Sequence, residues 1–351
     1  MLMDPRYSRQ LVIPDFADGG QQRLARARVL VLGAGGLGCT ALPALAGAGV
    51  GDEASGGWLH IADPDLVDVS NLNRQFLYRE ADLGRPKASI AAERLRQLNS
   101  HLAIKPLRRA FTSETARGLL ASAHLVLDCT DNLASRRLLN HWCYYLGLPF
   151  VSAGVSRHSG MLSCFDGITA PCLACVGRYA AAGADCAVDG IVGALAQTFG
   201  ALMANQAMQY LLGSGFGFSG LWLLDGKHMQ ATSFAARAEP QCPVCGNAKV
   251  KPREQSLEVD WRDCEEGWRL VDIRESSDSG FMHIPAARLR ADLYRELGDP
   301  RPACLVLVCE RGVASRELAQ ELSCTSPPMR ILSLRGGMAA IREQQQAPTN
   351  G

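Results

Sequence analysis

Short apolar runs alternate with stretches of helical period along most of the chain. RVLVL (28–32) is a β-branched run that breaks into the glycines of GAGGLG, and the Ala/Leu-rich stretch after it reads as a helix. WLHIAD (58–63) reads as a second strand, and HLVLDCTDN (124–132) and LPFVSAGV (148–155) as buried strands, with helical stretches at 89–98 and 134–146. Strands separated by helices must cross over in parallel, so the pattern predicts a Rossmann-like, mostly parallel α/β sheet. The stretch from Ile191 to Leu212 is the most apolar, but it carries Gln197, Asn205, Gln206 and Gln209. A bilayer would penalise those amides, so a buried core or interface helix is expected.

The pattern stops after Cys245. GNAKVKPREQS is polar and basic with no apolar period, and reads as a linker over 247–256. A second α/β pattern then starts with WRLVDIR, HIPAARL, ACLVLVCERG, SRELAQEL and ILSLRGG. The expected organisation is a first domain over 1–246, a small α/β domain over 257–345 and a tail over 346–351, with EQQQAPTNG frayed.

A length of 351 residues, 47% hydrophobic and 20% charged, is enough for two cores. The net charge of +1 supplies no long-range field for nucleic acid or an anionic membrane. MLMDPRYSRQLVIPDF has charges and prolines where an export signal needs an apolar core, which points to a cytoplasmic protein. Thirteen cysteines in a reducing compartment then direct attention to metal ligation and thiol chemistry rather than a disulfide framework.

Gly33, Gly35 and Gly38, with Gly36 between them, form GxGxxG at a strand-to-helix turn, where phosphate can approach backbone N–H groups. Asp63, ending the next strand, suits a ribose hydroxyl, and both features equally fit an NAD-dependent oxidoreductase. SNLNRQ (70–75), Lys87 in GRPKAS and Asp131 in DCTDN go beyond what a dinucleotide needs. Transfer of an adenylyl group to a carboxylate needs such a set, because cations and Mg²⁺ must neutralise the departing pyrophosphate; Arg74, Lys87 and Asp131 have that chemistry.

Cys172 and Cys175 in CLAC, and Cys242 and Cys245 in CPVC, each offer two thiolates to one tetrahedral Zn²⁺. Four ligands leave no open position, so the site is expected to be structural; a CxxC redox pair is the competing reading. Cys309 lies between the strand ACLVLV and the helical stretch after ERGVAS, where a helix N-terminus favours ionised sulfur. Cys186 lies in the Gly/Ala-rich GADCAVDGIVG, and the remaining cysteines read as packing residues.

YSRQ, GAGGLG, ADPDLVDVSNLNRQ, GRPKAS and LDCTDN, in that order, resemble the MoeB/ThiF (HesA) adenylyltransferases, relatives of the ubiquitin-activating enzymes, over residues 6–245. The resemblance implies that Asp63 holds ribose, that Asn71, Arg74 and Lys87 contact phosphates, and that Asp131 holds Mg²⁺. It adds Asp65, Ser70, Gln75 and Asn132 to the ATP-binding set. It also implies a homodimer in which Arg9 of YSRQ enters the partner's ATP site. Cys186 matches the crossover-loop cysteine of these enzymes, a candidate catalytic or resolving thiol.

VDIR, HIPA, CERGVAS and SLRGG resemble a rhodanese domain over 257–342, with Cys309 as the sulfur-bearing residue and Asp272 and His283 in local hydrogen bonding. Glu310 and Ala286 stand where that family has a basic residue and a glycine. An acidic neighbour is expected to discourage small anionic donors such as thiosulfate. The fusion of the two domains resembles MoeZ-like adenylyltransferase/sulfurtransferases. Together they imply ATP-dependent adenylation of the Gly-Gly terminus of a ubiquitin-like sulfur carrier, then sulfur transfer from a Cys309 persulfide charged by a donor such as a cysteine desulfurase. Adenylation alone, an NAD enzyme and a non-catalytic docking scaffold are the alternatives.

Overall fold

The computed structural model describes residues 4–180, 190–218, 220–246, 251–252, 257–300, 302–325 and 329–346. The chain divides into two compact units. One comprises Met1–Phe111, Thr115–Asn132 and Leu139–Lys251, the other Thr112–Glu114, Leu133–Leu138 and Pro252–Gly351. The division falls at 251/252, inside the expected linker, of which only Lys251 and Pro252 are described.

The first unit is built on an eight-stranded sheet in the order β3-β2-β1-β4-β5-β6-β7-β8. Its strands are β1 (Arg28–Leu32), β2 (Trp58–Ala62), β3 (Ile104–Leu107), β4 (Leu125–Asp128), β5 (Phe150–Ser156), β6 (Ser159–Phe165), β7 (Gly220–Asp225) and β8 (Gln230–Phe234). β1 to β5 are parallel, and the central strands β1 and β4 are buried on both faces, which is why RVLVL and LVLD read as continuous apolar runs.

The antiparallel extension β6–β8 escaped the sequence reading. Its one local signal is the tight β5–β6 turn, where Arg157 takes φ +52°. The stretch at 191–212 forms the helix Gly193–Leu211, burying Phe199, Met203, Ala204 and Ala207. It lies so close to β6 that a Cβ on Gly160 would sit 2.2 Å from the Phe199 ring. Among the described residues no helix is long and apolar enough to cross a membrane.

The second unit has a five-stranded parallel sheet, β11-β10-β12-β13-β9. Its strands are β9 (Glu258–Val259), β10 (Arg269–Asp272), β11 (Met282–His283), β12 (Cys304–Val308) and β13 (Arg330–Leu334). β12 is central and wholly buried. The last helix, Gly337–Gln346, takes in the EQQQ that was expected to fray. Glutamine is a good helix former, and Met338 and Ile341 earlier in that helix are buried. Residues 347–351 lie outside the described residues.

Candidate active site and metal centre

Leu32 of β1 pairs with Ala62 of β2 and with Asp128 of β4, so the segments that follow leave the sheet side by side at its carboxyl edge. The strand order reverses between β1 and β4, which opens a crevice there. Gly33 turns at φ +92°, and a Cβ on it would lie 2.6 Å from the Cys129 carbonyl oxygen. A Cβ on Gly38 would lie 2.3 Å from the Gly33 oxygen. Glycine is therefore required at both by backbone contact, whereas Gly35 faces open space with Gln75 Nε2 at 3.7 Å.

Asp63 is buried, its Oδ2 accepting from the Ala34 N–H at 2.7 Å and its Oδ1 from the Asp65 N–H at 2.8 Å. Burial pushes its carboxyl above the usual range, against the pull of those two amides. Asp65 carries the arrangement onward, its Oδ2 lying 2.9 Å from Lys87 Nζ. Lys87 is itself buried and opens the helix Lys87–Leu98. Tyr78 donates to the Ala34 oxygen at 2.7 Å from beneath the glycine turn.

Ser70 and Asn71 sit in a 3₁₀ turn capped by Asp68, whose Oδ1 accepts from the Ser70 N–H at 2.8 Å. Arg74 Nη1 donates to the Ser70 oxygen at 2.8 Å and to Asn73 Oδ1 at 3.0 Å. Gln75 is buried, yet its Oε1 has no hydrogen-bond partner among the described residues. Such an orphan costs about 1–3 kcal/mol, and beside the glycine turn it fits a bound ligand. Asp131 is exposed and makes no hydrogen bond or ion pair among the described residues, so its carboxylate is available to a cation. Asn132 follows it, half-buried.

Two residues of this crevice were missed. Gln197 was read only as a polar interruption in an apolar helix. Its Nε2 donates to the Arg74 oxygen at 2.6 Å and toward the Gly36 oxygen at 3.4 Å, and its Oε1 accepts from Thr40. It thereby ties the SNLNRQ segment to the glycine turn. Asp128, fully buried, accepts from Thr130 Oγ1 at 2.6 Å and Ser152 Oγ at 2.7 Å, fixing the loop that presents Asp131.

Arg9 stands apart. Its neighbours Tyr7 and Gln10 are held at the carboxyl end of the helix Gly38–Gly47, through Asn99 Nδ2 to Tyr7 Oη at 2.9 Å and Gln10 Nε2 to the Ala48 oxygen at 3.0 Å. The glycine turn lies at the other end, a helix length of about 15 Å away. Arg9 is exposed and makes no hydrogen bond or ion pair among the described residues. Cys186 lies outside the described residues.

Cys172, Cys175, Cys242 and Cys245 converge, their sulfurs all within 4.8 Å of one another. Cys172 to Cys242 is 3.6 Å and Cys175 to Cys245 is 3.5 Å. Zn–S bonds of about 2.3 Å in a tetrahedron place sulfurs roughly 3.8 Å apart, so the cluster fits zinc. Asn140, another residue the sequence did not single out, approaches Cys172 Sγ through its Nδ2 at 3.6 Å, while its Oδ1 accepts from the Leu173 N–H at 3.0 Å. The Glu239 N–H points at Cys175 Sγ at 3.4 Å. Both are N–H donors of the kind that steady thiolates.

In the second unit Cys309 follows β12 and is buried. Both the N–H and the hydroxyl of Ser315, in the first turn of the helix Val313–Thr325, donate to its sulfur at 3.3 Å. Ser315 Oγ meets Ser333 Oγ of β13 at 2.8 Å. The Cys309 oxygen accepts from the Met338 N–H at 2.9 Å, and a Cβ on Gly337 would lie 2.2 Å from that oxygen. Ala286 begins the helix Ala286–Ala291, its amide bonded to the Ile273 oxygen, so no glycine is required there. His283 Nε2 lies 2.7 Å from the Arg274 oxygen, and Asp272 is clamped by Arg274. Burial raises the Asp272 carboxyl, but the hydrogen bonds from Arg274 and Ser277 outweigh it and hold the group well below the carboxylate range. Glu310 is not the bare acidic neighbour expected, because Arg274 and Arg342 both pair with it.

The ThiF family model matches residues 7–244. The chain belongs to the ThiF family. Among its ThiF-family relatives, the sulfur carrier protein ThiS adenylyltransferase of Escherichia coli (strain K12) is 38% identical over 252 residues, covering 70% of this chain and 97% of that protein. The adenylyltransferase and sulfurtransferase MOCS3 of Drosophila grimshawi is 30% identical and covers 97% of this chain and 84% of its own length. The crystal structure of E. coli MccB with ATP aligns at a TM-score of 0.59 and 20% identity, over 70% of this chain and 75% of that one. This last likeness concerns the fold: a Rossmann-like, mostly parallel sheet.

Proposed function

We propose that this ThiF-family chain adenylates the C-terminal Gly-Gly carboxylate of a ubiquitin-like sulfur carrier and then converts that terminus to a thiocarboxylate with sulfur carried on Cys309. The observation that carries the first half is the run of connected polar groups at the carboxyl edge of β1, β2 and β4, from Asp63 through Asp65 to Lys87 and from the glycine turn through Gln197 to Arg74. An NAD site has no use for the buried Lys87 that Asp65 holds at this edge. The likeness to MOCS3 over nearly the whole chain supports the second half.

In this reading Asp63 accepts from ribose, the amides of the glycine turn with Asn71, Arg74 and Lys87 hold the phosphates, and Ser70, Gln75 and Asn132 complete the ATP site. The carrier carboxylate attacks the α-phosphorus of ATP, the bond to pyrophosphate breaks, and Arg74 and Lys87 take up the charge on the leaving group. Asp131 would hold Mg²⁺, which neutralises phosphate charge when bound. The anchoring of the N-terminal segment supports Arg9 serving the site of a second copy in a homodimer, since it is held at the far end of its own helix.

A persulfide on Cys309 then attacks the acyl carbon and expels AMP, leaving an acyl disulfide. A second thiol attacks the Cys309 sulfur, releases the thiocarboxylate and forms a disulfide with Cys309; Cys186 is the candidate within the chain. The donor that charges Cys309 is a protein persulfide, such as that of a cysteine desulfurase. Cys172, Cys175, Cys242 and Cys245 would hold Zn²⁺ as a structural cross-link. The protein is expected in the cytoplasm, where its carrier and donor are reduced.

Replacing Cys309 by alanine tests the sulfur step. Carrier incubated with the variant, MgATP, desulfurase and cysteine is expected to stop at the acyl-adenylate, with thiocarboxylate absent by mass spectrometry; thiocarboxylate formed at the wild-type rate would reduce the function to adenylation alone. Gln197→Leu tests the clamp. The carbonyls of Arg74 and Gly36 lose their donor, and adenylation is expected to fall roughly tenfold through misplacement of Arg74. Circular dichroism is expected to show a retained fold, because each lost hydrogen bond costs only about 1–3 kcal/mol.

A further inference from the structure

Glu310 is held in an unusual way for a residue next to a nucleophile. Arg274 Nη1 donates to its Oε2 at 2.8 Å and Arg342 Nη1 to its Oε1 at 2.5 Å, so each oxygen of one carboxylate is taken by a different guanidinium. Arg274 comes from the loop after β10 and Arg342 from the last helix, and they meet at Glu310, the residue after Cys309. Two arginines converging on the residue next to a nucleophilic cysteine match what a small oxyanion carrying sulfane sulfur requires, one N–H for each of two oxygens. Here that position is filled by the chain itself.

The surrounding charges strengthen this. Arg274 also binds Asp272, and its Nη2 meets Asp278 Oδ1 at 2.8 Å, with Arg342 Nη2 at 3.9 Å from Asp278 Oδ2. Two guanidiniums therefore face three carboxylates, and no positive charge is left over among them. Glu310 is about half exposed, its side chain at 47%, so the pair sits at the rim rather than in the core. Arg311, the next residue, is exposed and makes no hydrogen bond or ion pair among the described residues.

We propose that Glu310 is a built-in anion plug: its carboxylate occupies the oxyanion position between Arg274 and Arg342, and so restricts the sulfur donor to persulfides that bring no oxyanion of their own. The inference rests on Cys309 being the sulfur carrier, as argued above. With a persulfide donor R–S–SH, the Cys309 thiolate attacks the outer sulfur, the donor S–S bond breaks, R–S⁻ leaves and Cys309–S–SH remains. With thiosulfate the same attack on the sulfane sulfur must release sulfite, whose oxygens need the two guanidiniums that Glu310 holds.

Neutralising the plug is therefore a gain of function. In the full-length protein, Glu310→Gln keeps the shape and removes the charge, and its kcat/KM for thiosulfate, read as thiocyanate formed from cyanide, is expected to rise at least about tenfold, the effect of one like charge beside an incoming anion. Glu310→Ala should do the same, Arg342→Ala placed on Glu310→Gln should return the value to the wild-type level, and Cys309→Ala on Glu310→Gln should abolish it. Charging of Cys309 by a desulfurase with cysteine, read by mass, should stay unchanged in Glu310→Gln.

No rise with thiosulfate in either Glu310 variant, while desulfurase charging persists, overturns the plug and leaves the sulfur-carrier reading standing. Loss of charging from both donors in both variants overturns it too, making Glu310 a brace of the loop. A rise with thiosulfate in variants of an enzyme that no desulfurase charges upholds the plug and removes the desulfurase. No charging from any donor in any form overturns both readings.

Discussion

Lys87→Ala lowers carrier-dependent ATP turnover by about 10²–10³-fold, the usual cost of losing one group that stabilises transition-state charge. The same change barely alters stability. The partner of Lys87 is Asp65, whose side chain is 61% exposed, and such a pair contributes at most about 1 kcal/mol. Lys87 also occupies the first position of its helix, where a cation opposes the helix dipole by roughly 0.3–1 kcal/mol, so removing it returns part of what the ion pair gave. A lysine kept buried at an unfavourable helix position is expected to serve chemistry rather than folding. Pyrophosphate release assayed beside a thermal melt separates the two effects, and parallel loss of both would make Lys87 structural.

If the four cysteines hold zinc as proposed, its removal is expected to have the opposite signature. Cys242→Ser is expected to leave three thiolates and one weak ligand, and so to loosen the proposed cross-link between CLAC in the middle of the first unit and CPVC at its end. Metal analysis is expected to fall from about one zinc per chain to near zero. A loss of several kcal/mol lowers Tm by ten degrees or more, at about 2–4 °C per kcal/mol for a unit of this size. Chelation of the wild-type protein should reproduce the shift, and added Zn²⁺ should reverse it there but not in the variant. A melt unmoved by chelation would mean that the four cysteines are only packed thiols.

What could be read from the sequence followed from how local its physical causes are. The glycine turn, Asp63 and the strand alternation are visible because strand, turn and helix each impose their own period. The paired cysteines were visible because a metal site is built from close pairs, although only the fold shows all four sulfurs within 4.8 Å. Gln197 was invisible as a site residue, since its partners Gly36 and Arg74 are more than a hundred positions away and an amide in an apolar helix has no spacing signature. Asn140 escaped for the same reason. The antiparallel strands β6–β8 were lost because GMLSCF and LWLLD are short apolar runs whose direction is set by pairing, not by composition. Glu310 was legible as an acidic neighbour of the thiol, but the two arginines that hold it, Arg274 and Arg342, are distant in sequence and only the fold brings them to it.

The central claim is adenylation of a carrier terminus, and exchange of labelled pyrophosphate into ATP measures it directly. Purified enzyme with Mg²⁺ and carriers ending in Gly-Gly is expected to catalyse exchange that vanishes when the terminal glycines are deleted and falls with Lys87→Ala. Absence of exchange with every carrier that demonstrably binds would contradict the account and leave a nucleotide fold that only docks its partner.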